Sequence, residues 1–390
     1  MGGSFVIIKN RTMGYSAIQG FFWMGYAAII GFSSVYLLQA GFDNSQVGLL
    51  IAVTGLLSAL LQPVVAGYAD RRGSMPLKWI ICCIAGTSLV CAAVLGAAGS
   101  RKGLAGFCYG CCMVLLQLNT PLVNSLGIAT VNGGEKLNFG VARGFGSLGY
   151  AAAAYAIGAL TDRFGAGTVP LSIGLGLVLL LLATADYPKT PRPEETQQTR
   201  GVGLTFLRRY PRYCLVLVGL VLIFISHAVL NSFTYQIVVE KGGDSTQMGA
   251  AMAFASAAEL PVMFLFGWMQ KKKPGSFWFR ISGLFFLLKN MGTLLCTDMT
   301  GFFAVQVFQM GGFALLTISA VFYVNSIMAP GDRVKGQACY TMTMTLGNVI
   351  GAAGAGRILD ELGVPAMLTF GTACALLGAA MMLLFTEKTE

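Results

Sequence analysis

The chain has 390 residues, of which 55% are hydrophobic and 11% charged, with a mean hydropathy of +0.71 and a formal net charge of +10. Soluble domains carry about 25% charged residues, so this composition excludes an ordinary globular enzyme or binding module and leaves an integral membrane protein. The basic excess does not point to nucleic acid, because the bases lie in short segments between apolar runs and not on one soluble face.

A spanning helix needs about 20 mostly apolar residues. Twelve such runs occur, near 14–38, 46–69, 77–98, 103–128, 139–161, 166–185, 213–238, 246–269, 277–296, 301–327, 336–358 and 365–386. The expected fold is an all-α membrane protein of twelve transmembrane helices. Met1–Thr12 is too short and polar for a cleaved signal. In the first run Gln19, Trp23 and Tyr26 fall four and three apart, on one helical face. Such a stripe also suits packing, but the amide beside Trp23 favours a solute cavity.

The second run ends in Gly67-Tyr68-Ala69-Asp70-Arg71-Arg72-Gly73, and the third begins after Pro76. This reads as a tight hairpin with its charges in water. A degraded copy follows half a chain later, around Pro261 and Lys271-Lys272-Lys273-Pro274. Most of the ten cysteines lie inside apolar runs. Cys108-x-x-Cys111 has no second pair or nearby His, so neither a metal nor a cofactor is expected. No phosphate loop or nucleophile motif appears, which argues against an enzyme.

The longest polar segment, 186–212, holds Pro188, Pro191 and Pro193 and separates six runs from six. It is read as a cytoplasmic linker between an N-terminal bundle, 1–185, and a C-terminal bundle, 213–390. Twenty of the 26 bases fall on one side of the twelve-span arrangement, which places both termini in the cytoplasm of a cell-membrane protein. A shift of 198 positions carries Pro63 onto Pro261, and Gly149, Gly158, Asp162 and Gly165 onto Gly347, Gly356, Asp360 and Gly363. The halves are therefore a parallel repeat, the arrangement of alternating-access transporters.

Charges inside a span cost about 2.5–3.5 kcal/mol each on insertion scales and mark functional candidates. Here they are Arg143, His227, Glu259 and Lys289. Glu259 and Lys289 lie midway along adjacent runs and are expected to pair, with His227 as a third member. The pair reads either as a static packing device or as a proton relay in which Glu259 carries the proton. Asn231 and Tyr235 share the His227 face at four-residue spacing and are expected to line the solute cavity.

With these residues in hand, the chain resembles the major facilitator superfamily. The Gly67–Gly73 hairpin resembles that superfamily's helix 2–3 signature, with Ala66 in place of its first glycine. Leu61-Gln62-Pro63, Asn138-Phe139-Gly140-Val141-Ala142-Arg143-Gly144-Phe145-Gly146-Ser147-Leu148-Gly149-Tyr150 and Arg333-Val334-Lys335-Gly336-Gln337-Ala338 resemble the branch of the lactose permease and the nucleoside and phenylpropionate symporters. The resemblance implies two six-helix halves facing each other across a cavity. It implies a substrate-binding role for Arg143, with Tyr150 as the stacking ring, and a gate at Asp70, Arg71, Arg72 and Gly73. The branch's acid on the fourth helix is missing; Asn119 and Asn124 stand there and can hydrogen-bond a neutral solute. This turns the expectation from a disaccharide towards an anionic or nucleoside-like solute. On the tenth helix Gln309 and Gly312 replace the branch's His and Glu, with Gln306 beside them, so proton coupling falls to Glu259 and the two glutamines are expected to bind the solute. The expected function is proton-coupled symport of a small polar organic solute by a monomer in the lipid bilayer. The competing readings are an efflux transporter on the same fold and a non-transporting sensor.

Overall fold

The structure, a computed structural model, describes residues 11–69, 71, 73–97, 101–190, 208–329 and 332–388. Most of the 186–212 segment lies outside the described residues, as do Asp70 and Arg72. Every described apolar run is helical, and among the described residues there is no strand. This follows from the solvent: in hydrocarbon a backbone must satisfy its own polar groups, which a helix does. Among the described residues eight helices are long and apolar enough to cross a membrane, and Arg11–Gly31 with Ser33–Gln39, bent by 43°, makes a ninth. Of the twelve expected runs, 139–161 and 277–296, which hold Arg143 and Lys289, are not among these, and the last two runs share the single helix Arg333–Phe385.

The chain divides into two compact units, Met1–Phe42 with Val53–Gln197, and Asp43–Ala52 with Gln198–Glu390. In the first unit α1 is Arg11–Tyr26, continued by a π turn, Ala27–Gly31, and by α2, Ser33–Gln39. Then come α3 (Asn44–Ala69), α4 (Leu77–Ala97), α5 (Lys102–Asn132), α6 (Phe139–Phe164) and α7 (Thr168–Asp186). The first turns of α3 belong to the second unit. α1 lies along α6 and α7, and α4 lies against α5 and α7. The α1–α6 contact is close because Gly149 carries no side chain; a methyl there would strike the Gly20 carbonyl.

The second unit holds α8 (Pro211–Ser232), α9 (Thr234–Glu240), α10 (Ser245–Lys272), α11 (Gly275–Leu295) and α12 (Met299–Gln306). A 3₁₀ turn, Val307–Gln309, and a π turn, Met310–Ala314, join α12 to α13 (Leu315–Ile327), and α14 runs Arg333–Phe385. α10 starts on a capping box: Asp244 accepts from the Gln247 N–H at 2.7 Å, and the Gln247 side chain accepts from the Asp244 N–H at 3.2 Å. α14 has 53 residues, about 80 Å at 1.5 Å per residue, far more than a bilayer core of about 30 Å. It is broken at Gly363, whose φ of +81° costs a glycine little. Gly165, its repeat partner, ends α6 at φ +82°. The core of this unit is aromatic and fully buried around Tyr213, Phe224, Phe279 and Tyr323.

Two bases counted from the sequence as loop charges have structural work instead. Lys78, only 9% exposed, donates from Nζ to the carbonyls of Ala185 (2.9 Å) and Tyr187 (2.7 Å) at the C-terminal end of α7. In the other unit Arg280 donates to the Thr386 carbonyl at the end of α14. A cation on unpaired helix-terminal carbonyls complements the dipole, so both units close one bundle edge in the same way.

Candidate functional site

In the first unit the α1 face becomes a hydrogen-bonded ladder. The Trp23 indole donates to Gln19 Oε1 at 3.1 Å. Gln19 Nε2 donates to the Tyr15 hydroxyl at 2.7 Å and to Asn124 Oδ1 at 3.3 Å. Tyr15 in turn donates to the Val123 carbonyl at 3.0 Å. Gln19 is thereby fixed in a fully buried position. The Arg143 guanidinium lies over the Trp23 ring, 4.2 Å from its centroid, and the Tyr26 ring is 4.8 Å from that of Trp23. Gly146, one turn beyond Arg143, leaves the slot for the indole: a Cβ there would fall 2.6 Å from Trp23 Cδ1.

The ring against Arg143 is thus Trp23 of α1; Tyr150, which the resemblance assigns to stacking on the solute, lies seven residues on from Arg143 in the same helix. Asn124 joins the ladder, but Asn119, 2% exposed, turns to α4 and donates to the Ile81 carbonyl at 3.5 Å. Tyr15 was missed by the sequence reading. Its signal was available, since it stands one turn before Gln19 on the same face.

In the second unit the charges gather on a chain of three side chains. Lys289 Nζ of α11 donates to Gln309 Oε1 at 2.6 Å, and Gln309 Nε2 donates to Glu259 Oε1 of α10 at 2.8 Å. The expected Lys289–Glu259 link therefore runs through Gln309, a residue read from sequence as a solute contact. Lys289 and Gln309 are 6% and 8% exposed, too buried for bulk water to carry the charge. An amide suits this place because its oxygen accepts from the ammonium while its nitrogen donates to the carboxylate. The His227 ring stacks on Phe313 at 4.9 Å and meets Phe286 edge-on at 5.6 Å. His227 Nε2 and Asn231 Nδ2 are 2.7 Å apart. Tyr235 follows the break at Phe233 that separates α8 from α9. Gln306 is buried and donates to the Phe302 carbonyl of its own helix at 3.4 Å. At Gly312 the space of a side chain is bordered by the Phe286 ring.

Of the hairpin candidates, Arg71 and Gly73 are described. The Arg71 N–H donates to the Tyr68 carbonyl and the Ser74 N–H to the Arg71 carbonyl, both at 3.2 Å, with Gly73 at φ +94°. Two acids outside the spans, neither expected as a site residue, also gather partners. Asp332, before α14, takes Arg209, Lys335 and the Tyr210 hydroxyl at 3.2 Å each. The Lys335 ammonium is the main cause that holds its carboxyl below the ordinary value. Asp360, past the end of the 336–358 run, accepts from the Asn44 and Ser45 N–H groups at 3.2 and 2.6 Å and from both side chains at 2.8 and 2.5 Å. It caps the N-terminus of α3, where the dipole favours an anion.

Residues 15–370 match the MFS_1 like family. The chain belongs to that family. It is 26% identical over 247 residues to the maltose permease of Geobacillus stearothermophilus, covering 62% of this chain and 60% of the permease. The match thus spans less than two thirds of that relative's length. The crystal structure of the nucleoside transporter NupG superposes with a TM-score of 0.78 at 16% identity, over 97% of this chain and 100% of that one. A bacterial homologue of the human lysosomal transporter Spinster, inward-facing and unoccupied, gives 0.67 at 14% identity, over 99% and 98%. At such identities the structural likeness is one of fold. The family and the fold together make this a multi-pass membrane transporter of the major facilitator superfamily, not an enzyme.

Proposed function

We propose that this transporter moves a small polar organic solute by alternating access, in symport with protons, as a monomer in the cytoplasmic membrane with both termini inside. The observation that carries the reading is the Lys289–Gln309–Glu259 chain, a carboxylate held by an amide and an ammonium inside a helical bundle. Glu259 is the proton carrier, with Lys289 and His227 setting its charge environment. Arg143, Trp23, Gln19 and Asn124 hold the solute, the guanidinium and indole presenting a flat cationic face to a ring or a carboxylate. Tyr26, Tyr150, Asn119, Asn231, Tyr235 and Gln306 remain assigned to the solute path. The hairpin Asp70, Arg71, Arg72 and Gly73 is assigned to the inner gate.

The relative that is a maltose permease and the fold neighbour that is a nucleoside transporter set the first solutes to try. A thermal-shift screen of sugars, nucleosides and aromatic acids identifies the ligand, because binding to the native state raises Tm by mass action. The hit is then loaded into proteoliposomes under an imposed pH gradient. Accumulation that vanishes when the gradient is collapsed, and that is absent in Glu259→Gln, supports the reading. Uptake indifferent to the gradient removes proton coupling, and coupled uptake in Glu259→Gln removes Glu259 as carrier.

A further inference from the structure

Gln309 stands at an irregular point of its span. α12 ends at Gln306, the next three residues form the 3₁₀ turn that closes on Gln309, and the π turn Met310–Ala314 begins immediately after it. Single turns of 3₁₀ and π geometry inside a helix mark places where the backbone can change its winding. Gly311 and Gly312 follow, and a side chain on Gly311 would strike the Phe285 ring. The residue that bridges the buried charges is therefore also the last residue before the change of winding. Its side chain ties the junction to α11 through Lys289 and to α10 through Glu259.

We propose that Gln309 is a positioning residue that converts the charge state of Glu259 into the shape of the 307–314 segment. The inference rests on Glu259 being the proton carrier. With Glu259 ionised, the amide is held at both ends by charged partners, and its orientation is fixed by their signs. When the carboxylate takes a proton from solvent, its negative charge is gone and the Nε2 contact loses its charged acceptor. The amide then keeps only Lys289, and the 3₁₀–π junction is released from α10. The elements packed against α10 bring the following ionisable side chains. α12 and the two short turns bring no Asp, Glu, Lys, Arg or His, and α13 brings only Tyr323, which stacks on Phe279 at 4.6 Å. α9 brings Tyr235 and Glu240, followed by Lys241, whose Nζ donates to the Cys296 carbonyl. Besides these elements, α8 brings His227, whose ring stacks on Phe313 of the π turn.

The test needs no solute, because the probe is the solvent proton. Purified protein in nanodiscs is titrated from alkaline to acid buffer. The protonated Glu259 carboxyl is followed by its infrared C=O stretch, identified by its loss in Glu259→Gln. Amide exchange of the 307–314 segment is followed in the same samples and corrected for the intrinsic pH dependence. The expected result is that protection falls about fivefold or more as the Glu259 band grows, local opening being what exchange reads. Glu259→Gln is expected to hold the low-protection value throughout. Gln309→Leu is expected to flatten the response while the Glu259 band still titrates. Gln309→Met, closer in shape, replaces it if the leucine variant does not fold. A wild-type segment whose protection ignores the band, or a Gln309 variant that keeps the wild-type response, overturns the link alone. Absence of a Glu259-dependent band overturns the carrier reading and the link with it.

Discussion

At the scale of single residues, two pairings decide how the interior charges are held. Arg143 over Trp23 is a cation–π contact, worth about 0.5–2 kcal/mol. Trp23→Leu removes the ring and one rung of the Gln19 ladder. We expect it to weaken binding of the screened ligand by about threefold to thirtyfold, read as a smaller ligand-induced shift in Tm. Lys289 and Glu259 make a second test. Lys289→Met removes the cation from one end of the Gln309 bridge and Glu259→Gln the anion from the other, and each alone should lower Tm. The double variant should recover part of the loss, with a coupling of about 1–3 kcal/mol in the cycle. Strict additivity of the two losses would show that the bridge through Gln309 carries no interaction.

At the scale of elements, the repeat shows what its conserved spacing is for. The last glycine of Gly-x8-Gly-x3-Asp-x2-Gly takes a positive φ in both copies, at Gly165 and Gly363, and ends a helix each time. The first lets a neighbouring helix approach: Gly149 meets Gly20, and Gly347 meets Phe224. In the second copy Asp360 caps α3. Burial by itself would raise its carboxyl, but the hydrogen bonds from Ser45 and Asn44 outweigh burial and hold it below the usual 3.8. A carboxyl depressed on folding contributes stability above its unfolded value and loses it as pH falls through the folded one. Stability from this cap should therefore be intact at neutral pH and fade only below about pH 3.8. Asp360→Asn should cost about 0.5–1 kcal/mol at neutral pH, a modest figure because the carboxylate is exposed and screened. The loss should shrink in acid; a Tm difference that stays constant into acid would show that charge is not what the cap supplies.

At the scale of the whole molecule, the basic loops predict topology. In cells expressing a variant without native cysteines, Lys189→Cys should be shielded from a membrane-impermeant maleimide and Lys102→Cys should react. The reverse pattern would invert the orientation drawn from loop charge. The class of fold was readable because hydrocarbon imposes long uninterrupted helices, and composition alone reveals them. The repeat was readable because a constant offset survives where side chains do not.

What the sequence determined by itself was the helical membrane fold, the two-copy repeat and the short roster of interior charges. Those follow from local composition and spacing, which solvent acts on directly. Which of these residues touch was decided only by tertiary packing. That Gln309 bridges Lys289 and Glu259 was set by the fold, since the three lie on separate stretches of the sequence. Trp23 became the ring under Arg143 because Gly146 leaves room for the indole. Lys78 looked like a loop charge until the end of α7 came within its reach. Partners on different helices are set by helix rotation and depth, and neither is encoded in the spacing along one strand of sequence.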